Sequence, residues 1–336
     1  MEDIVGTRYI SLAQNFKKSG SKEGEARGLI IEIADQLSPA VNDATVTECN
    51  NGTQHISMMR SGLADSVWTK LYGGPIPSRG SVTEVIDSTG TLESVSTIGA
   101  KHLELAGKDK ASLLMSEAHA HIEAMTIEVE KTLFYGDQAT EPVTFTGLGP
   151  RFSTLSQDVM SANQIVDGGG AGSDNTSIWF VTWGDQYCKL LYPSGTQGGL
   201  TRRRLPEETQ LGSDGSVVRV HREMFKWEVG FACSDFRGVA RVANVDVTKL
   251  RHDPEAGGAD LVTLLIDGYN KIALRSSGRH VIYVNSTIST ALDHQSRKDK
   301  NVLLSLQDYQ GKPVRSFRGI PIRVSDAIMN TEARVI

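Results

Sequence analysis

EAHAHIEAMTIEVEKTLFYGDQATEPVTFTGLGPRF, residues 117–152, runs from a sustained helical pattern through Gly136 into a Gly-Leu-Gly-Pro stretch that suits neither helix nor strand. Met115, Ala118, Ile122, Met125, Val129 and Leu133 recur at spacings of three and four. A period near 3.6 predicts an amphipathic helix over 108–135, about seven turns long. Glu117, Glu123, Glu128, Glu130 and Lys131 occupy its other faces, so one side packs and the rest stays polar. Such an element is a backbone for a fold, not a catalytic device.

Outward toward the N-terminus, SVTEVIDSTGTLESVSTIG (81–99) reads as two β-prone runs around a Ser88-Thr89-Gly90 turn. Val82, Glu84 and Ile86 share one side, and Thr83, Val85 and Asp87 the other, so neither face buries a core alone. Two readings stay open: an edge hairpin on its own domain, or an extended arm that needs a neighbouring subunit. Before it, Leu63, Val67 and Leu71, with Ala64 and Trp68, predict a short helix that stops at Gly73-Gly74-Pro75. LIIEIADQLSPAV, from Leu29, is apolar core of either type, helix or buried strand. Residues 1–27 carry only scattered apolar anchors, Ile4, Tyr9, Leu12 and Phe16, and read as an arm.

Outward toward the C-terminus, a glycine-rich loop at 167–175 precedes SIWFVTWGDQYCKLLYP, whose front is a buried-strand pattern and whose tail looks helical. GTQGGLTRRRLPEETQLGSDGS is a polar loop or hairpin region. WEVGFACSDFRGVARVANVDV alternates like strands, ADLVTLLIDGYNKIALRS is an amphipathic helix, and RHVIYVNSTISTALDHQ is a strand running into a helix. Helices and strands mix without strict βαβ order, which makes the class α+β.

Composition bounds what such a chain does. It has 336 residues, a net charge of −5 and a pI near 5.9, which argues against a surface that grips nucleic acid by counterion release. Cys49, Cys188 and Cys233 lack CxxC spacing, so no disulfide framework or zinc knuckle is readable and a reducing cytosol is expected. The first residues lack a signal-peptide core, and no stretch reaches the roughly 18 apolar residues of a membrane span.

The motifs that invite chemistry are weak. His119 and Glu123 share a helix face, but His121 sits about 200° around from His119, so the three do not converge on one ion and no metal is expected. Gly168–Gly170 precede a strand, whereas phosphate-cradling loops follow one. Arg202, Arg203 and Arg204, followed by Glu207 and Glu208, read either as a solvated loop or as a source of inter-subunit ion pairs. No cofactor is expected.

The order of these parts resembles the major capsid proteins of tailed bacteriophages, the Hong Kong 97-like fold, and within them the short-tailed epsilon-fifteen and Bordetella phage group. The resemblance rests on LYGGPIPSRGSVTEVIDSTGTLESVSTIG, EAHAHIEAMTIEVEKTLFYGD, PVTFTGLGPRF and the closing FRGIPIRVSDAIMNTE. It implies an N-terminal arm (1–27), a peripheral-domain segment (28–55), an extended hairpin (56–102), a spine helix with peripheral sheet (103–175), and a mainly axial domain (176–336). It further implies a non-enzymatic chain that self-assembles into hexamers and pentamers of an icosahedral shell around double-stranded DNA in the virion. Its partners would be its own copies, with a cementing or decoration protein, a scaffold and a portal, and no membrane. On that reading Ile86, Leu92 and Ile98 are buried only on an adjacent subunit, and Arg79 makes an inter-subunit ion pair. The alternatives are an encapsulin-like compartment shell and, with nothing in its favour, a cytosolic hydrolase.

Overall fold

The computed structural model describes residues 38–60, 62, 64–74, 76–156, 159–211, 217–251, 258–272, 278–299, 304–309 and 312–336. The expected N-terminal arm (1–27) and the apolar run from Leu29 as far as residue 37 lie outside the described residues. The chain divides into two compact units: one takes the segment up to Asn42, Leu92–Lys131 and Leu200–Trp227, the other Asp43–Thr91, Thr132–Gly199 and Glu228–Ile336.

In the first unit the long helix forms as its periodicity requires, Lys110–Tyr135, with its last turn passing into the second unit. Ala118, Ile122, Met125 and Val129 are buried along one stripe. The helix lies beside the strands Gly199–Arg204 and Val217–Cys233: Arg202 donates to the Met115 sulfur at 3.9 Å, and His121 stacks on Phe225 with ring centroids 5.5 Å apart. Alternation along the second strand turns His221, Glu223, Phe225 and Trp227 inward. Ile98, Leu103 and Leu114 form a separate small cluster.

In the second unit Asn175–Trp183 is a central strand whose nine residues are all buried. Val239–Asp246 and Arg279–Val284 flank it antiparallel, Val242 opposite Ile178 and Ile282 opposite Phe180, and Ile320–Val324 extends the sheet in parallel. Strands covered on both faces read as continuous apolar runs. The helices Leu261–Lys271 and Ser286–Asp299 contribute Leu261, Leu265, Ile288 and Leu292 to the core of this sheet. Asp260 caps the first of them, its carboxylate accepting from the Thr263 N–H at 3.2 Å.

A buried polar hub ties the second unit together. Arg241 donates to Glu332 at 2.7 Å, to the Ser177 hydroxyl at 3.0 Å and to the Phe152 carbonyl at 2.8 Å, and lies over the Trp179 ring. Glu332 also accepts from the Tyr135 hydroxyl at 2.5 Å and from Ser177. Burial and the adjacent Glu332 carboxylate push the Tyr135 hydroxyl pKa up, which keeps it a donor.

The corner after the helix depends on missing side chains. Gly147 lies against the final helical turn, where a Cβ would meet the Thr132 carbonyl at 2.4 Å and the Leu133 carbonyl at 2.5 Å. The Gly147 N–H donates to the Gly136 carbonyl at 2.8 Å, closing the return segment onto the helix end.

Three sequence expectations are corrected. Residues 81–99 make no turn at Ser88-Thr89-Gly90; Val82–Gly99 is one continuous strand of 18 residues. Gly90 serves a close approach instead, since a Cβ there would meet the Val143 carbonyl at 2.9 Å. Residues 64–70 are not helical: the spacing of Val67 and Leu71 imitates a helix, but the segment is irregular and those side chains are exposed. The tail Cys188–Tyr192 is a strand, not a helix, paired with Val46–Glu48 on one side and Gly230 to Cys233 on the other, its first four residues buried between those two neighbours.

Gly147→Ala is expected to lower unfolding free energy by roughly 1–3 kcal/mol through backbone overpacking. Gly74→Ala, where a Cβ meets nothing within 4 Å, should leave it unchanged. Urea denaturation of the two variants separates these outcomes.

Candidate assembly surfaces

Two strands of the second unit pair as a ribbon. Gln54–Arg60 pairs antiparallel with residues 82–88, setting Ile56 opposite Ile86 and Met58 opposite Glu84. Asn50 pins the start, its side chain bonding both the N–H and the carbonyl of Ile56 at 2.8 and 2.7 Å. Asp87 anchors the root: it is buried and accepts from Arg151 at 2.6 Å, and the same guanidinium lies 5.5 Å from the centre of the Phe231 ring.

Beyond that root the face shared by Met58, Val82, Glu84 and Ile86 opens to solvent, while Ser57, Met59 and Val85 on the other face are half-buried. Met58 is 74% exposed and Val82 and Ile86 each 57%. The loop joining the strands is held by a Gly62 N–H to Ser81 carbonyl bond, a Ser78 hydroxyl donating to the Asp65 carbonyl, and a turn closed from Gly73 to Lys70. It carries Val67, Trp68, Leu71, Tyr72 and Ile76, all exposed, with Trp68 entirely so. A two-stranded ribbon is marginal in water by itself, and a contiguous exposed apolar patch marks an interaction surface.

The arginine cluster behaves differently. Arg202 holds the buried Glu223 through two nitrogens at 2.9 and 2.6 Å and lies over the Phe225 ring, and Arg204 approaches the other Glu223 oxygen at 3.6 Å. Glu207 and Glu208 pair with Arg219 and Arg222 of the facing strand at 3.3 and 2.7 Å. Arg202, Arg204, Glu207 and Glu208 therefore have partners inside their own chain, while Arg203 is exposed. The one carboxylate that takes both Arg202 and Arg204 is Glu223 on the facing strand, not the Glu207 and Glu208 that follow them in sequence.

Among the other expected contact residues, Ile86 and Arg79 are exposed, and Leu92 is half-buried. Ile98 is a correction: it packs on Leu103 and Leu114 of its own chain, because the continuous strand carries it past the ribbon into the first unit. His121 is occupied by the Ser94 hydroxyl at 2.6 Å and by its stack on Phe225. Among the described residues no cluster of three or more His, Cys, Asp or Glu is arranged to hold a metal ion. The sequence reading missed Met58, Trp68, Leu71, Tyr72 and Ile76 as contact candidates. The readable signal was the pair Pro75 and Pro77 with Gly73 and Gly74, which disfavours a packed helix there.

The profile of the family described as major capsid protein GP7 matches residues 21–336. The chain belongs to that family. A structure of bacteriophage epsilon15 is 32% identical, covering 87% of this chain and 88% of that one, with a TM-score of 0.68. The bacteriophage JBD30 capsid is 10% identical over 88% of this chain and 92% of that one, at a TM-score of 0.50, a likeness of fold alone. A chain of the SrpI encapsulin complex from Synechococcus elongatus PCC 7942 matches at 11% identity, 64% and 90% coverage and a TM-score of 0.43. No sequence match is found among curated proteins. The fold is the Hong Kong 97-like one, and the chain is a phage major capsid protein, a building unit of the virion shell.

Removing one partner of the Glu223 cluster should be felt in the fold. Glu223→Gln is expected to cost roughly 1–3 kcal/mol, whereas Arg203→Ala should stay within about 0.5 kcal/mol of the parent; chemical denaturation measures both.

Proposed function

We propose that the ribbon 54–60/82–88 and its loop are the arm by which one copy grips the next in hexamers and pentamers of an icosahedral shell around double-stranded DNA. The observation that carries this reading is the exposure of Trp68, Leu71, Tyr72 and Ile76 on a loop with little regular structure of its own. Side chains of this kind bury about 150–250 Å² each when aromatic and dominate interface energetics. On this reading the arm corresponds to the extended hairpin of 56–102, the long helix to the spine, residues 1–27 to an N-terminal arm, and residues 176–336 mainly to an axial domain. Arg79 and Arg203, both exposed, are the cations best placed for ion pairs between copies. The work is done by surfaces and not by catalysis, and the net charge of −5 suits a wall that must release its DNA.

The arm works by packing. No lysine occurs between Ile76 and Thr97, and the one on the ribbon loop, Lys70, stands exposed to water, whereas a lysine–asparagine cross-link needs a dry pocket with a carboxylate base. Particles boiled in denaturing detergent should give a single band near 36.5 kDa, and a ladder would refute the packing-only reading.

Changing Trp68, Leu71, Tyr72 and Ile76 together to Ser should leave the circular dichroism spectrum and unfolding midpoint nearly unchanged while abolishing particles in negative-stain images. Particles of normal size from that variant would sink the arm assignment.

A further inference from the structure

Cys188 and Cys233, 45 residues apart in sequence, stand directly opposite each other on neighbouring antiparallel strands. The adjacent pair is the hydrogen-bonded one, since the Ser234 N–H donates to the Tyr187 carbonyl at 2.9 Å. Cys188 and Cys233 therefore occupy a non-hydrogen-bonded position, where opposed Cα atoms are about 4.5 Å apart and side chains come closest. That spacing lies inside the Cα range a disulfide spans. The sulfurs are 3.8 Å apart, one thiol donating to the other, and both side chains are buried. Cys49 packs with Leu191 and Ala232, which alternation places on the other face of these strands. It has no cysteine opposite it and serves as an internal reference.

We propose that Cys188 and Cys233 form a latent dithiol that closes to a cross-strand disulfide under oxidising conditions, stapling Cys188–Tyr192 to Val217–Cys233 after the shell leaves the reducing cell. The chemistry balances with a peroxide as oxidant. One sulfur, as thiolate, attacks a peroxide oxygen, the O–O bond breaks, and the released hydroxide takes up the thiol proton to give water and a sulfenic acid. The second thiol then attacks that sulfur, the S–S bond forms, and a second water leaves with its proton. Two electrons pass from the sulfurs to the peroxide. Burial pushes the Cys188 thiol pKa well up, which keeps thiolate scarce and makes closure slow. A slow reaction suits a pair that stays open in the glutathione-poised cytosol and closes in the aerobic medium. Only this timing rests on the shell reading; closure of the pair does not.

The test uses the full chain, purified under reductant, freed of it and exposed to hydrogen peroxide, then unfolded in N-ethylmaleimide and weighed intact. Before peroxide, three maleimide adducts are expected. After it, one adduct should remain, on Cys49, with a Cys188–Cys233 linked peptide in the digest. The thermal midpoint should rise by several degrees, fall back on reduction, and fail to rise in Cys188→Ser. Three surviving adducts at a peroxide dose that oxidises the unfolded chain would overturn the proposal, as would sulfinic acids without the linked peptide. In a second arm, particles from lysed cells and from cleared medium are alkylated at harvest. A linked peptide enriched in the medium is expected; linkage in vitro with equally reduced particles from both sources would overturn the timing.

Discussion

The return of the chain over the end of the long helix is the constraint on which the second unit depends. Helix ends leave carbonyl groups without partners, and burying them ordinarily calls for a cap. Here the segment around Gly147 passes so close that any side chain would strike the Thr132 and Leu133 carbonyls. That closeness brings Phe152 and Tyr135 to the same hub, where Arg241 and Glu332 are both buried. A buried ion pair repays its desolvation only when its remaining donors and acceptors are also satisfied. Ser177, Tyr135 and the Phe152 carbonyl supply those partners from three parts of the chain. Helix end, central strand and C-terminal segment are thus specified together.

Against this hub the ribbon stands out as unfinished. Its root is treated like core, with Asp87 buried and charge-paired, while a few residues outward Met58, Val82 and Ile86 face solvent on both strands. A monomeric protein gains nothing from such a surface and risks non-specific pairing along it. A major capsid protein, whose native state is defined by its neighbours, has a use for it. Apolar surface withheld from the subunit's own core remains available for assembly.

What the sequence revealed follows the range over which each interaction acts. The long helix was readable because its stripe from Met115 to Leu133 is a local, periodic signal. The central strand SIWFVTW was readable because burial on both faces removes polar residues altogether. The segment around Trp68 was misread as helix because apolar spacing alone does not distinguish a packed face from a loop kept sticky for a partner. Gly90 was misread as a turn because a glycine needed for close approach looks the same in sequence as one needed for a bend. The partners of Arg202 and Arg204, and the meeting of Cys188 with Cys233, depend on strand register between distant segments, which local patterns do not encode.

The placement of the four tryptophans has an optical consequence. Trp179, Trp183 and Trp227 are buried, and Trp183 donates its indole N–H to the Tyr283 hydroxyl at 2.8 Å, whereas Trp68 alone stands wholly in water on the ribbon loop. Three emitters therefore form a fixed blue background set by the folded interior, and the fourth contributes a red, quencher-accessible component. Because the two populations occupy such different surroundings, intrinsic fluorescence separates the state of the arm from the state of the fold without any attached label.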